Sequence, residues 1–197
     1  MKMRVSREQA AENRERIVQV AAKLFRERGF DGIGVADLMK AAGLTHGGFY
    51  GNFASKDDLV AEASGRALNE LSEYWTAVIE KAPQSAFSTI VHRYLSEGHR
   101  DTPGQGCLVA ALGSDLGRQA RPVRRVVTAG INAFIGQLMQ LVPGKSKAAR
   151  RRQALTDFAA MVGAVTIARA VDDPALSKDV LAAVASALSE RDAGTRH

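Results

Sequence analysis

The stretch IGVADLMKAAGLTHGGFYGNFASKDDL, residues 33–59, decides how this chain is read. Apolar Ala36, Leu38, Met39 and Ala42 recur at helical spacing and predict a short helix over 35–42. Gly43 ends it, because a left-handed turn costs glycine no steric strain. Leu44 fills the angle between two helices, and Thr45 is a favoured N-cap for the next, running to about Asn52. Ser55 with Asp58 then caps a long helix reaching about Lys81. Two short helices about a tight glycine turn form a helix-turn-helix, a unit suited to laying its second helix in the DNA major groove.

Upstream, Ser6 with Gln9 predicts a capping box, and Ala10, Ile17, Val20, Ala21, Leu24 and Phe25 form one apolar stripe. Gly29 ends that helix, Asp31-Gly32 turns the chain, and Gly34 is a weak cap for the helix after it. Beyond Pro83 the pattern stays helical: about 85–98, 107–116, 122–142, 146–171 and 174–190. The polar stretch His99 to Gly106 is expected to be a loop, and the tail from Ala193 to be frayed. No segment has useful strand periodicity. The expectation is an all-α protein of about nine helices. A three-helix helix-turn-helix domain spans 1–54, and a helical ligand-binding and dimerisation body spans 55–197.

The 197 residues carry a net charge of +6, compatible with a polyanion partner. The excess is spread: residues 1–60 hold ten basic and eight acidic side chains, so the argument for DNA rests on local placement. One cysteine excludes an internal disulfide framework. No run approaches a membrane span and the start lacks a signal-peptide core, which predicts a cytoplasmic protein with no membrane partner. There is no phosphate-binding glycine loop, no metal-ligand spacing around His92 or elsewhere, and no histidine partner for Ser114-Asp115. The chain is therefore read as a non-enzyme without cofactor or metal.

The run AGLTHGGFYGNFASKDDL, residues 42–59, with AKLFRERGF, residues 22–30, resembles the signature of TetR-type (TetR/AcrR) transcriptional regulators. The strong resemblance covers about 13–60. It implies that Tyr50 and Lys56 contact phosphates, that Thr45, His46, Gly47 and Gly48 face base edges, and that Asn52, where many members have histidine, bonds a phosphate. Gly47 and Gly48 are poor helix formers, and their place early in a helix suggests close approach of a DNA strand. Gly34 and the short Ala36 depart from the family pattern and leave the operator sequence open. Lys2, Arg4 and Arg7 form a basic arm, read either as reaching an adjacent groove or backbone or as a disordered arm without a role.

The resemblance also implies a homodimer through the last two helices, where Ala159, Gly163, Ala164, Ala168, Ala182, Ala183, Ala185 and Ala187 supply small faces. It implies a cavity for a small, mostly apolar effector, for which Trp75 and Phe134 are the favoured liners. Cys107, at a helix start with Arg100 nearby, is either a redox or electrophile sensor or a small buried side chain. The expected function is a sequence-specific regulator, a repressor released from a palindromic double-stranded operator by a small apolar or electrophilic effector. The competing class is a nonspecific architectural DNA binder. The basic run Lys145 to Arg152 reads as a solvated helix start.

Overall fold

Two glycines punctuate the N-terminal unit as their sequence context demands: Gly29 has φ +80° and Gly43 φ +70°. The computed structural model describes residues 7–194, so Ser6 of the expected capping box and Lys2 and Arg4 of the arm lie outside it. Nine α-helices are found there: α1 (Arg7–Arg28), α2 (Val35–Ala41), α3 (Lys56–Lys81), α4 (Ala86–Tyr94), α5 (Glu97–Asp101), α6 (Leu108–Leu116), α7 (Arg121–Leu141), α8 (Lys147–Ala170) and α9 (Pro174–Gly194). The described residues hold no strand, and none of their helices is long and apolar enough to cross a membrane. The fold is all-α.

The helix caps follow sequence chemistry in part. Ser55 Oγ accepts from the Asp58 amide at 3.1 Å, and Ser146 Oγ from the Ala149 amide at 3.1 Å. Thr45 does not behave as expected, because its side chain makes no cap bond. The segment it opens is a 3-10 helix, His46–Gly51, rather than an α-helix to Asn52. Three of its six residues are glycine, which favours neither α-helix nor length.

The helix expected over 85–98 is also divided. Pro83–Ser85 forms a 3-10 turn, α4 ends at Tyr94, and α5 begins after Ser96. The cause is local. His99 Nδ1 lies 2.6 Å from the Tyr94 carbonyl, the acceptor that a continuous helix would give to the Gly98 amide. Ser96 Oγ then caps α5 from the His99 amide at 3.1 Å. The expected loop 99–106 thus holds the end of α5 and a 3-10 turn, Pro103–Gln105.

Two apolar clusters organise the interior. The first joins Ile17, Val18, Ala21, Ala22 and Phe25 of α1 to Leu38 and Met39 of α2, to Phe49 and Phe53, to Leu59 and Val60 of α3, and onward to Leu108, Leu112, Val123 and Val127. The second joins Trp75 of α3 to α4, α7, α8 and α9 through Ile90, Ile135, Leu138, Met161 and Leu181. The long α3 belongs to both. Ala10 and Ala36, assigned to the buried stripes, are instead exposed, and Val18 and Ala22 take the interior face of α1.

Close approach of α3 and α7 is tightest at a glycine of α7. A Cβ at Gly130 would lie 2.7 Å from Leu68 Cδ1 and 2.9 Å from Leu68 Cβ. Gly130→Ala is expected to cost about 1–2 kcal/mol net, since overpacking outweighs the gain in helix propensity. Thermal unfolding beside a Gly136→Ala control, where a Cβ meets nothing within 4 Å, checks this.

Candidate functional site

The helix-turn-helix presents a continuous outer face. Thr45, His46, Gly47 and Tyr50 are exposed, Tyr50 at 70%, while Gly48 and Lys56 are half-buried. Tyr50 is held edge-on against Phe49, with ring centroids 5.3 Å apart, and the His46 ring lies 6.3 Å from it. Phe49 and Phe53, both buried, stack at 5.5 Å and fix the 3-10 helix to the core. A Cβ at Gly47 would meet nothing within 4 Å, and one at Gly48 would meet Met39 Cε at 3.4 Å and Thr45 Oγ1 at 3.9 Å. Internal packing therefore does not require glycine at 47.

Asn52 is less available than expected. Its side-chain amide donates to the Gly48 carbonyl at 2.7 Å, and the residue is half-buried. Sequence reasoning missed Arg14. This α1 side chain bonds the Asn52 carbonyl, pairs with Glu62 of α3 and lies over the Phe53 ring, 4.2 Å from its centroid. It clamps the end of this 3-10 helix to both flanking helices. The signal was one polar residue three before Ile17, which periodicity alone assigns to solvent.

A second feature lies where the helix-turn-helix unit meets the body. A cavity of about 660 Å³ is walled by α1 (Gln19, Val20, Lys23, Arg26), by α3 (Ala67, Glu70, Leu71, Tyr74, Trp75), by the α4 end (Arg93, Tyr94) and by the 99–106 turn. Its size suits a small-molecule site. Trp75 is on its wall. Phe134 and Cys107 are not. They share with Phe158 a void of about 20 Å³, room for no organic ligand, because the Phe134 ring packs on Phe158 at 5.3 Å and on Trp75 at 6.4 Å. Among the described residues no group of three or more His, Cys, Asp or Glu side chains is placed to hold a metal ion.

Residues 17–63 match the family model for bacterial regulatory proteins of the tetR family. The family match is confined to this segment. It is 34% identical over 84 residues to the HTH-type transcriptional regulator AcrR of Shigella flexneri, a match covering 43% of this chain but only 37% of that relative. It is 23% identical over 148 residues to the HTH-type transcriptional repressor DhaR of a Mycobacterium species, covering 75% of this chain and 74% of that one. In structure it is similar to reduced E. coli NemR, with TM-score 0.76 and 20% identity over 91% of this chain and 97% of the other. A TetR-family regulator from Agrobacterium tumefaciens is similar at TM-score 0.77 and 19% identity, covering 92% and 98%. The likeness of fold thus extends well beyond the matched segment.

Cys107 is the N-cap of α6 and only 2% exposed. Arg100, expected beside it, is turned instead to Glu97, Asp101 and the Ser177 hydroxyl. The thiol's charged surroundings are Arg26 and Arg169. Arg26 is itself buried. Its Nε donates to the Ala22 carbonyl at 3.0 Å and a terminal nitrogen to the Gly106 carbonyl at 2.8 Å, so α1 is bonded directly to the 99–106 turn. Loss of solvation lowers its pKa, opposed in part by Glu70.

His99 completes this junction. The Cys107 amide donates to its Nε2 at 2.9 Å, which leaves Nδ1 carrying the proton and donating to Tyr94. The ring is neutral in this arrangement, and a second proton at Nε2 would confront the Cys107 N–H. Burial pushes its pKa below the usual 6.5, with Arg169 adding to the effect and the Tyr94 carbonyl opposing it. The folded state then binds the proton less readily than the unfolded chain. Stability from this residue is full above about pH 6.5 and falls as acid protonates the unfolded imidazole. Wild type is expected to lose stability between pH 7 and 5.5 more steeply than His99→Gln in denaturant titrations; equal slopes would refute it.

Proposed function

We propose that the protein is a homodimeric transcriptional repressor that binds a palindromic operator and is released by a small molecule in the 660 Å³ cavity. The observation that carries this reading is the exposed face Thr45-His46-Gly47 with Tyr50, standing on a helix-turn-helix that matches the TetR family model. His46 and the Thr45 hydroxyl can address base edges, while Tyr50 and Lys56 suit phosphates. Open space at Gly47 suits close approach of a nucleic-acid strand.

Dimerisation is supported by the outer faces of α8 and α9. Leu155 at 43% exposed, Ile167 at 50% and Leu176 at 46% lie there, with Ala159, Ala182, Ala183 and Ala187 also exposed. Leu155, Ala159, Gly163 and Ile167 follow one i, i+4 ridge suited to helix packing. Ala164 and Ala168 are not part of it, because both are buried within the subunit. A two-fold dimer would place two recognition segments about one DNA turn apart, roughly 34 Å. The cavity touches α1 itself, so an occupant that binds one orientation of the helix-turn-helix better than another would shift the spacing.

Selection of bound duplexes from a random DNA pool tests the reading. Enrichment of one palindrome is expected. Binding without enrichment that vanishes as salt rises would replace the proposal with a nonspecific binder.

A further inference from the structure

The chemistry of the cavity departs from the apolar site that the sequence suggested. Lys23, Arg26 and Arg93 line it, against one carboxylate, Glu70. That carboxylate is already engaged: Arg66, which is not a liner, donates to Glu70 Oε1 at 2.6 Å. Arg26 bonds only carbonyls, and Arg93 bonds the Tyr74 hydroxyl and lies 5.6 Å from that ring's centroid. Neither has an ion-pair partner among the described residues. Lys23 has only a long contact, 3.9 Å, to Glu27. His99 adds no compensating negative charge.

Only Arg26 of the three is buried, with Glu70 partly offsetting its charge; Lys23 and Arg93 are exposed, and together the three give this wall a net positive charge that favours an anion. A second observation points the same way. Trp75, 3% exposed, lines the cavity, yet its Nε1 has no hydrogen-bond partner among the described residues. Buried donors are rarely left unmet, and this one marks a place for an acceptor. The rest of the wall, Val20, Ala67, Leu71 and the Trp75 ring, is apolar.

We infer that the cavity binds an amphipathic organic anion, its carboxylate-like head held by Arg26, Arg93 and Lys23 and its apolar body packed against Trp75 and Leu71. The inference rests on the cavity being the effector site proposed above, and it names the class of effector. Arg26 is the residue through which such a ligand acts on DNA binding, because it lies on α1 and bonds the 99–106 turn.

The chain's single tryptophan is Trp75, so its fluorescence reports on this wall alone. The full-length protein is titrated with adamantane-1-carboxylate, its carboxamide and 1-aminoadamantane, three probes of nearly one shape that do not absorb with tryptophan. Acetate serves as a head-group control. The carboxylate is expected to bind at least tenfold more tightly than the amide or the amine, with acetate inert. Arg93→Met and Lys23→Met, both at exposed positions, are each expected to cut that preference several-fold at unchanged thermal stability. Equal or tighter binding of the amide or amine, binding of acetate as tight as the carboxylate, or no response to any probe overturns the inference. Operator binding is scored separately. A palindrome enriched with no anion preference sinks only the ligand class; an anion bound with no palindrome enriched sinks only the repressor reading.

Discussion

Replacing Arg191 by Met is expected to destabilise the protein by about 3–5 kcal/mol, the cost of leaving a buried charge unpaired. Asp157 of α8 is fully buried, and Arg191 of α9 donates to its Oδ2 at 2.6 Å. Gln153 holds the other oxygen at 2.8 Å. The two partners are unequal. The arginine side chain is 32% exposed and can turn to water if Asp157 is lost, whereas Asp157 has no exposure to fall back on. Arg191→Met is therefore expected to cost more than Asp157→Asn, and the double variant to recover part of the loss. In a chain of this size the single change lowers the thermal midpoint on the order of 10 °C. Melts of the four species at one protein concentration check this, since a dimer's midpoint depends on concentration. A single-variant loss under 1 kcal/mol would show that the pair does not hold α9 against α8.

On the DNA side the largest effect is expected from Tyr50→Ala, with operator binding weakened about tenfold to a hundredfold and thermal stability unchanged. Tyr50 is the most exposed large apolar-bodied residue of the described chain and contributes little to the core. Its ring is already ordered against Phe49, so a phosphate contact made by its hydroxyl costs little further entropy. Tyr50→Phe separates the two parts: it removes the hydroxyl and keeps the ring. A lysine contact has a different signature. Lys56→Ala should reduce the slope of log K against log salt by about 0.9, whereas Tyr50→Phe, which changes no charge, should weaken binding at every salt with the slope intact. If Tyr50→Ala binds the selected duplex like wild type, the recognition face has been misplaced.

The residues that made the fold legible are those whose constraint is local. Gly29 and Gly43 needed left-handed backbone, and both have it. Ser55 and Ser146 sat three residues before free amides, and both cap. Where the constraint came from a distant partner, pattern reading went astray. Tyr94 lost its helical acceptor role to the His99 ring, which divided one expected helix into two. Ala164 and Ala168 looked like an outer small-residue face but turn inward. Arg14 and Asp157 read as polar residues on helices, yet each is a tertiary clamp.

The sequence by itself determined an all-α chain and its helix-turn-helix, because turn chemistry, capping and 3.6-residue periodicity act over a few residues; the motif of that unit carried the resemblance to the tetR family model. Tertiary structure alone decided that Trp75 faces a large cavity while Phe134 and Cys107 close a small void, and that three cations converge on one wall from α1 and α4. Those are relations among side chains separated by tens of residues. They are set by how helices rotate and cross when they pack, which periodicity constrains only to a broad face.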